Sequence, residues 1–148
     1  MPQSIQIQSA EVRVLVNDDP NRVITFNPED IAFIDAFYDL IGEFDRKIEE
    51  FKQREIILRK NKEMDKYGIP VSTKEEIQLT KDLCAYLREK IDALFGAGTA
   101  NTAFGKSNTP DMFVQFFDGI TPFIQTAREK KVQKYTAKVA ASSDGVLE

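Results

Sequence analysis

Leu94-Phe95-Gly96-Ala97-Gly98-Thr99-Ala100-Asn101-Thr102-Ala103-Phe104-Gly105 forms a glycine-and-phenylalanine elbow between two long segments of helical periodicity. Gly96 is placed to end the preceding helix as a left-handed cap. Thr99 to Phe104 then fits one short helical turn, with its helix at about 100–104. The elbow is a joint, because nothing around it supplies a base, a nucleophile or a metal ligand. The architecture is built from the helices on either side.

On the upstream side, Ser72 and Thr73 each stand three residues before a glutamate, Glu75 and Glu76, offering two alternative capping boxes. The helix that follows, over 73–95, has its seam at Ile77, Thr80, Cys84, Leu87, Ile91 and Leu94, with Leu83 widening the stripe. Further upstream, Asn27 as cap, Pro28 at the first helical position, and Glu29 and Asp30 in the first turn announce another helix. Its apolar residues Ile34, Phe37, Ile41, Phe44, Ile48, Phe51 and Leu58 recur at steps of three and four, with Glu55 in one slot. No strong breaker precedes Tyr67-Gly68-Ile69-Pro70, so this helix is expected over 28–66. Downstream of the elbow, Thr109-Pro110-Asp111 opens a third helix, over 110–135, with Met112, Phe113, Phe116, Phe117, Ile120, Phe123 and Ile124 on its apolar face. Pro122 is expected to kink or split it, since proline lacks the backbone donor and clashes with the preceding turn.

The start of the chain has a different period. Val12, Val14 and Val16 alternate with Arg13 and Leu15, then Asn17-Asp18-Asp19-Pro20-Asn21 supplies a turn before Val23-Ile24-Thr25-Phe26, so a β-hairpin is expected over 11–26. Ser4 to Gln8 alternates too, with Ile5 and Ile7 on one face, as a lead-in or as an edge strand. The fold class is mainly α within α+β: one domain over 1–139, a hairpin packed on a long antiparallel helical hairpin and a final helix. Residues 140–148 are expected to fray, with Leu147-Glu148 reading as a cloning remnant.

Composition excludes several functions. The chain has 148 residues, 42% of them hydrophobic, which suits one small core. A formal charge of −4 argues against a general nucleic-acid binder. There is no histidine, and the lone Cys84 cannot form an internal disulfide, so a cytoplasmic protein without cofactor or metal is expected. No apolar run is long enough for a membrane span, and the first ten residues lack the plan of a signal peptide. Gly105-Lys106-Ser107 imitates the end of a phosphate-binding loop, but Ala100 replaces the required glycine and a helix leads in where a strand is needed. Cys84 sits in a seam with no histidine to activate it and reads as an inert thiol. Glu43, Asp45, Glu49 and Glu50 alternate with Arg46, Lys47, Lys52 and Arg54, as on a solvated helix face. Arg128, Lys130, Lys131, Lys134 and Lys138 either complement the carbonyl end of the last helix or steer an acidic partner.

The order of hairpin, Asn27-Pro28-Glu29-Asp30 helix start, Leu94-to-Thr99 elbow, Phe104-Gly105 and a last helix with Arg128-Glu129-Lys130-Lys131 resembles small tail proteins of siphophage-type phages and prophages of Gram-positive bacteria. The likeness is strongest over 83–135. These are similar to tail assembly chaperones, encoded between the tail tube and tape measure proteins. The resemblance implies a non-enzymatic factor of the bacterial host cytoplasm that coats the tape measure protein, recruits tail tube subunits and leaves before the virion is complete. From the residues themselves, helix 28–66 outruns helix 73–95, and Ile56, Ile57 and Leu58 point in different directions, so part of the arm's apolar surface should be free for another chain. The expected contact residues are Phe44, Phe51, Ile57, Leu58, Phe117, Lys130 and Lys131, with self-association also expected. The alternative is a self-associating structural component of a phage tail or head-tail connector.

Overall fold

A computed structural model describes residues 2–147, and the side chains of residues 2–133. Two strands are followed by four helices: β1 (Val12–Val16), β2 (Asp19–Phe26), α1 (Ile31–Arg59), α2 (Thr73–Phe95), α3 (Thr99–Phe104) and α4 (Pro110–Leu147). The protein is mainly helical with an N-terminal antiparallel hairpin, as the periodicities require. Helix α4 runs to Leu147, past its expected end at 135 and through the segment expected to fray from 140, and Glu148 lies outside the described residues.

The hairpin turns on Asn17 and Asp18, both at positive φ (53° and 59°), the backbone of a two-residue turn whose twist matches that of the strands. Val12 pairs with Phe26, Val14 with Ile24 and Leu15 with Val23, and then the register jumps so that Val16 faces Asp19. The irregularity accommodates Pro20, which has no amide to donate to a ladder.

Helix α1 starts three residues later than Pro28. Asn27 Oδ1 accepts from the Glu29 amide (3.0 Å) and its carbonyl from the Asp30 amide (3.3 Å), so 27–30 is a turn. The cap is Asp30, whose carboxylate accepts from the Ala32 amide at 3.0 Å. The helix also ends early, at Arg59. The segment after it folds into a small closed turn: Asp65 N–H donates to the Ile69 carbonyl (2.8 Å), Val71 N–H to the Glu63 carbonyl (3.0 Å), and Met64 bridges Pro70. Asp65 Oδ1 accepts from the amides of both Tyr67 and Ile69. A carboxylate that takes two amides offers the backbone an alternative to the helix ladder.

Helix α2 has the expected bounds, but its cap residue Ser72 is buried and makes no side-chain capping bond. Gly96, at φ 118° and ψ 150°, closes α2 in a positive-φ conformation outside the left-handed helical region; its amide donates to the Asp92 carbonyl at 2.9 Å. Helix α4 is continuous through Pro122. Thr121 Oγ1 donates to the Phe117 carbonyl at 2.6 Å within that turn.

The core gathers Ile24 and Phe26 of the hairpin, Ile34, Phe37, Leu40 and Phe44 of α1, Leu83, Cys84, Leu87 and Ile91 of α2, and Phe113, Phe116, Phe117, Ile120 and Ile124 of α4. Phe95 stands edge-on to Phe26, Phe33, Phe37 and Phe116 at 5.2–6.2 Å between centroids, the geometry favoured by the ring quadrupoles. Three side chains fix the elbow. Asp92 accepts from the Ala100 amide (2.8 Å), Arg22 donates to the Thr102 and Ala103 carbonyls, and Arg88 donates to Asn108 Oδ1 and to the Gly105 and Ser107 carbonyls.

Candidate partner-binding surface

Helices α1 and α2 run antiparallel, with Lys47 Nζ over the Tyr86 ring (4.8 Å) near the head and Arg59 against Glu76 (3.6 Å) near the far end. Arg59 also pairs with Glu55 at 3.3 Å. The buried stripe of α1 stops at Phe44; Ile48 and Phe51 are half-buried, and beyond them neither the hairpin nor α4 contributes cover. At 1.5 Å per residue α1 is roughly 44 Å long, so its last turns extend past the core.

On this arm the apolar side chains face outward. Ile57 is 58% exposed and Tyr67 75%, and Ile56, Met64, Ile69, Val71 and Ile77 are exposed with them. The closed turn at 63–71 holds four of these seven in place, and Lys66 Nζ lies 5.1 Å from the Tyr67 ring centroid. An apolar group presented on hydrogen-bonded backbone has already lost part of its conformational entropy, which lowers what a partner must offset. Below the tip, a cleft of about 390 Å³ opens between α1 and α2, lined by Phe51, Leu79, Leu83 and Tyr86 with Lys47, Glu50, Arg54 and Asp82 at its rim. It is greasy at the base and charged at the edge. Arg46 pairs with Glu43 and Glu50, and Lys47 with Glu50, at 3.5–3.9 Å, so the alternating charges of α1 form a solvated network.

The expected contact residues divide among three places. Phe44 and Phe117 are core: both are buried and their rings meet at 5.0 Å, so neither is available to a partner. The seam of α1 is covered here by α4. Phe51, Ile57 and Leu58 are on the arm, where Phe51 and Leu58 are half-buried and Ile57 is open. Lys130 and Lys131 are on α4, beside clefts formed with Pro28 and Glu29. The residues missed by pattern are Met64, Tyr67, Ile69, Val71 and Ile77. Tyr67-Gly68-Ile69-Pro70 signals a helix stop, but its two large apolar residues within a turn were themselves the sign of a presented surface.

Cys84 is buried in the core, and burial pushes its thiol up from the ordinary value, with Arg88 opposing more weakly. A neutral, enclosed thiol is a poor nucleophile. Among the described residues no cluster of three metal-ligating side chains occurs and no helix is long and apolar enough to cross a membrane.

Fold and surface define a mainly helical domain whose hairpin-capped head carries an apolar two-helix arm. The chain belongs to DUF6673, a family of unknown function, whose profile matches residues 21–143, from β2 through most of α4. Comparison with curated proteins and with solved structures finds no match.

Proposed function

We propose that this protein is a phage tail assembly chaperone, a non-enzymatic factor that binds the tape measure protein and helps to recruit tail tube subunits in the bacterial host cytoplasm. The observation that carries the reading is the arm: seven large apolar side chains between Ile56 and Ile77 are exposed, four of them on a hydrogen-bonded tip. Exposed apolar residues scattered singly over a surface are ordinary, whereas seven gathered on one arm suit a surface that a partner covers. A tape measure protein is a long amphipathic helix that aggregates when bare, and an apolar arm with a charged rim suits the shielding of such a helix. The similarity of the elbow and the last helix to tail assembly chaperones supports the same assignment.

Co-expression with the product of any long helical reading frame adjacent to its gene, followed by size-exclusion chromatography, tests the reading. The expected result is a co-eluting complex, weakened at least tenfold by Ile57→Asp with Ile69→Asp. A tape measure protein that stays soluble alone and elutes apart from this chain would remove the proposal.

A further inference from the structure

Residues 2–9, which precede β1, are exposed throughout, Ile5 at 81% and Ile7 at 83%, and make no contact with the core. In a chain with 30% charged residues, residues 2–10 carry no charge and alternate isoleucine with glutamine. Alternating, uncharged and apolar on one side, Ser4 to Gln8 has the composition of a strand that lacks a neighbour.

The same molecule has an unpaired edge. The sheet consists of β1 and β2 alone, so β1 has one open side. β2 is occupied on its own flank, where Arg22 is bonded to the end of α3 and Pro20 interrupts the donors. β1 has neither safeguard: Val12–Val16 contains no proline or lysine and a single charge, Arg13. Such edges are normally blunted when nothing pairs with them. Two clefts open between β1 and α4: one of about 420 Å³ lined by Val12, Pro122, Phe123 and Thr126, and one of about 550 Å³ lined by Val14, Val16, Met112 and Gly119 that continues to Ile24 of β2 and Phe104 of α3. Phe123, partly exposed at the first, offers an apolar floor for a β-branched side chain.

We infer that Ser4–Gln8 of one copy adds to the open edge of β1 in a second copy, seating Ile5 and Ile7 against the clefts beside α4. Pairing with the chain's own β1 would require Ser9-Ala10-Glu11 to form a tight hairpin turn, and none of these three is glycine, asparagine or aspartate, the residues that supply the positive φ of such hairpin turns. The segment and the edge are different surfaces, so two copies can exchange their segments in a closed two-fold dimer, or the contact runs head-to-tail into a ring or an open array. It stands independently of the arm and of the partner that the arm binds.

The test uses the full chain. Sedimentation of the wild type is compared with a chain lacking residues 2–8 and with Ile5→Asp/Ile7→Asp, circular dichroism confirming that each remains folded. The expected result is an oligomer that both changes convert to monomer, while Ile57→Asp leaves it intact. Tagged Gln6→Cys and untagged Arg13→Cys proteins are then mixed, treated with a short bismaleimide and quenched before denaturation. Tagged–untagged pairs should dominate. An unchanged sedimentation profile on deletion, or cross-linking confined to single chains of a Gln6→Cys/Arg13→Cys double variant, would overturn the inference.

Discussion

Arg22 on β2 donates from Nη2 to the carbonyl of Ala103 at 2.8 Å, joining the hairpin to the end of α3 across 81 positions of sequence. Its Nε donates to the Thr102 carbonyl at 2.9 Å, so one guanidinium takes two of the carbonyls that a helix end leaves without partners. Hydrogen bonds to a charged donor contribute about 1.5–3 kcal/mol. Arg22→Ala should therefore lower the unfolding free energy by about 2 kcal/mol in chemical denaturation. Arg22→Lys should recover less than half, because an ammonium lacks the planar fork that meets two carbonyls at once.

Phe117 and Ile57 should separate stability from binding. Phe117 fills the core against Phe44, and Phe117→Ala should cost about 3–5 kcal/mol. Ile57 is open to solvent, and Ile57→Ser should change stability by no more than about 0.5 kcal/mol while weakening capture of the proposed tape measure partner. Equal destabilisation by the two substitutions would contradict the exposure of the arm.

The tip should depend on one carboxylate. Asp65→Ala removes the acceptor for the Tyr67 and Ile69 amides, so limited proteolysis within 60–71 should accelerate several-fold. Thermal unfolding of the head should be unaltered, because residues 61–71 are all exposed and lie outside the core. A shift of the global transition would mean that the tip is coupled to the core.

Cys84 sets an alkaline dependence. Its folded thiol holds its proton more tightly than an unfolded one, so the unfolded state deprotonates first as pH rises. The contribution is complete below the ordinary thiol range, and stability falls with pH from there until the folded thiol also ionises. Cys84→Ala should flatten that alkaline slope in denaturation curves. Native protein should react with a thiol reagent at a rate limited by opening, far slower than in denaturant.

The pattern of residues anticipated the hairpin, the bounds of α2, the short α3 and the start of α4, since each rests on chemistry within a few positions: Asn17-Asp18 for the turn, Gly96 and Gly98 for the elbow, Thr109-Pro110 for the helix start. The early end of α1 was concealed because the segment after Arg59 is compatible with a helix until Asp65 captures two amides. Pro122 suggested a break that α4 does not make. Phe44 and Phe117 are core and not partner surface: an apolar helix face shows that a residue is covered without naming what covers it, and here each ring covers the other. On the arm, the adjacent Ile56-Ile57-Leu58 implies that Ile57 is exposed, whereas Tyr67 and Ile69 read only as part of a helix stop.

Local order along the chain is a property of the residues alone, because helical hydrogen bonds span four positions and a tight turn spans two. Which apolar residues are left in water is a matter of how unequal lengths meet. The hairpin and α4 cover the first half of α1 and stop, leaving Ile56 to Ile77 outside, and β1 gains one partner strand where its backbone can bond two.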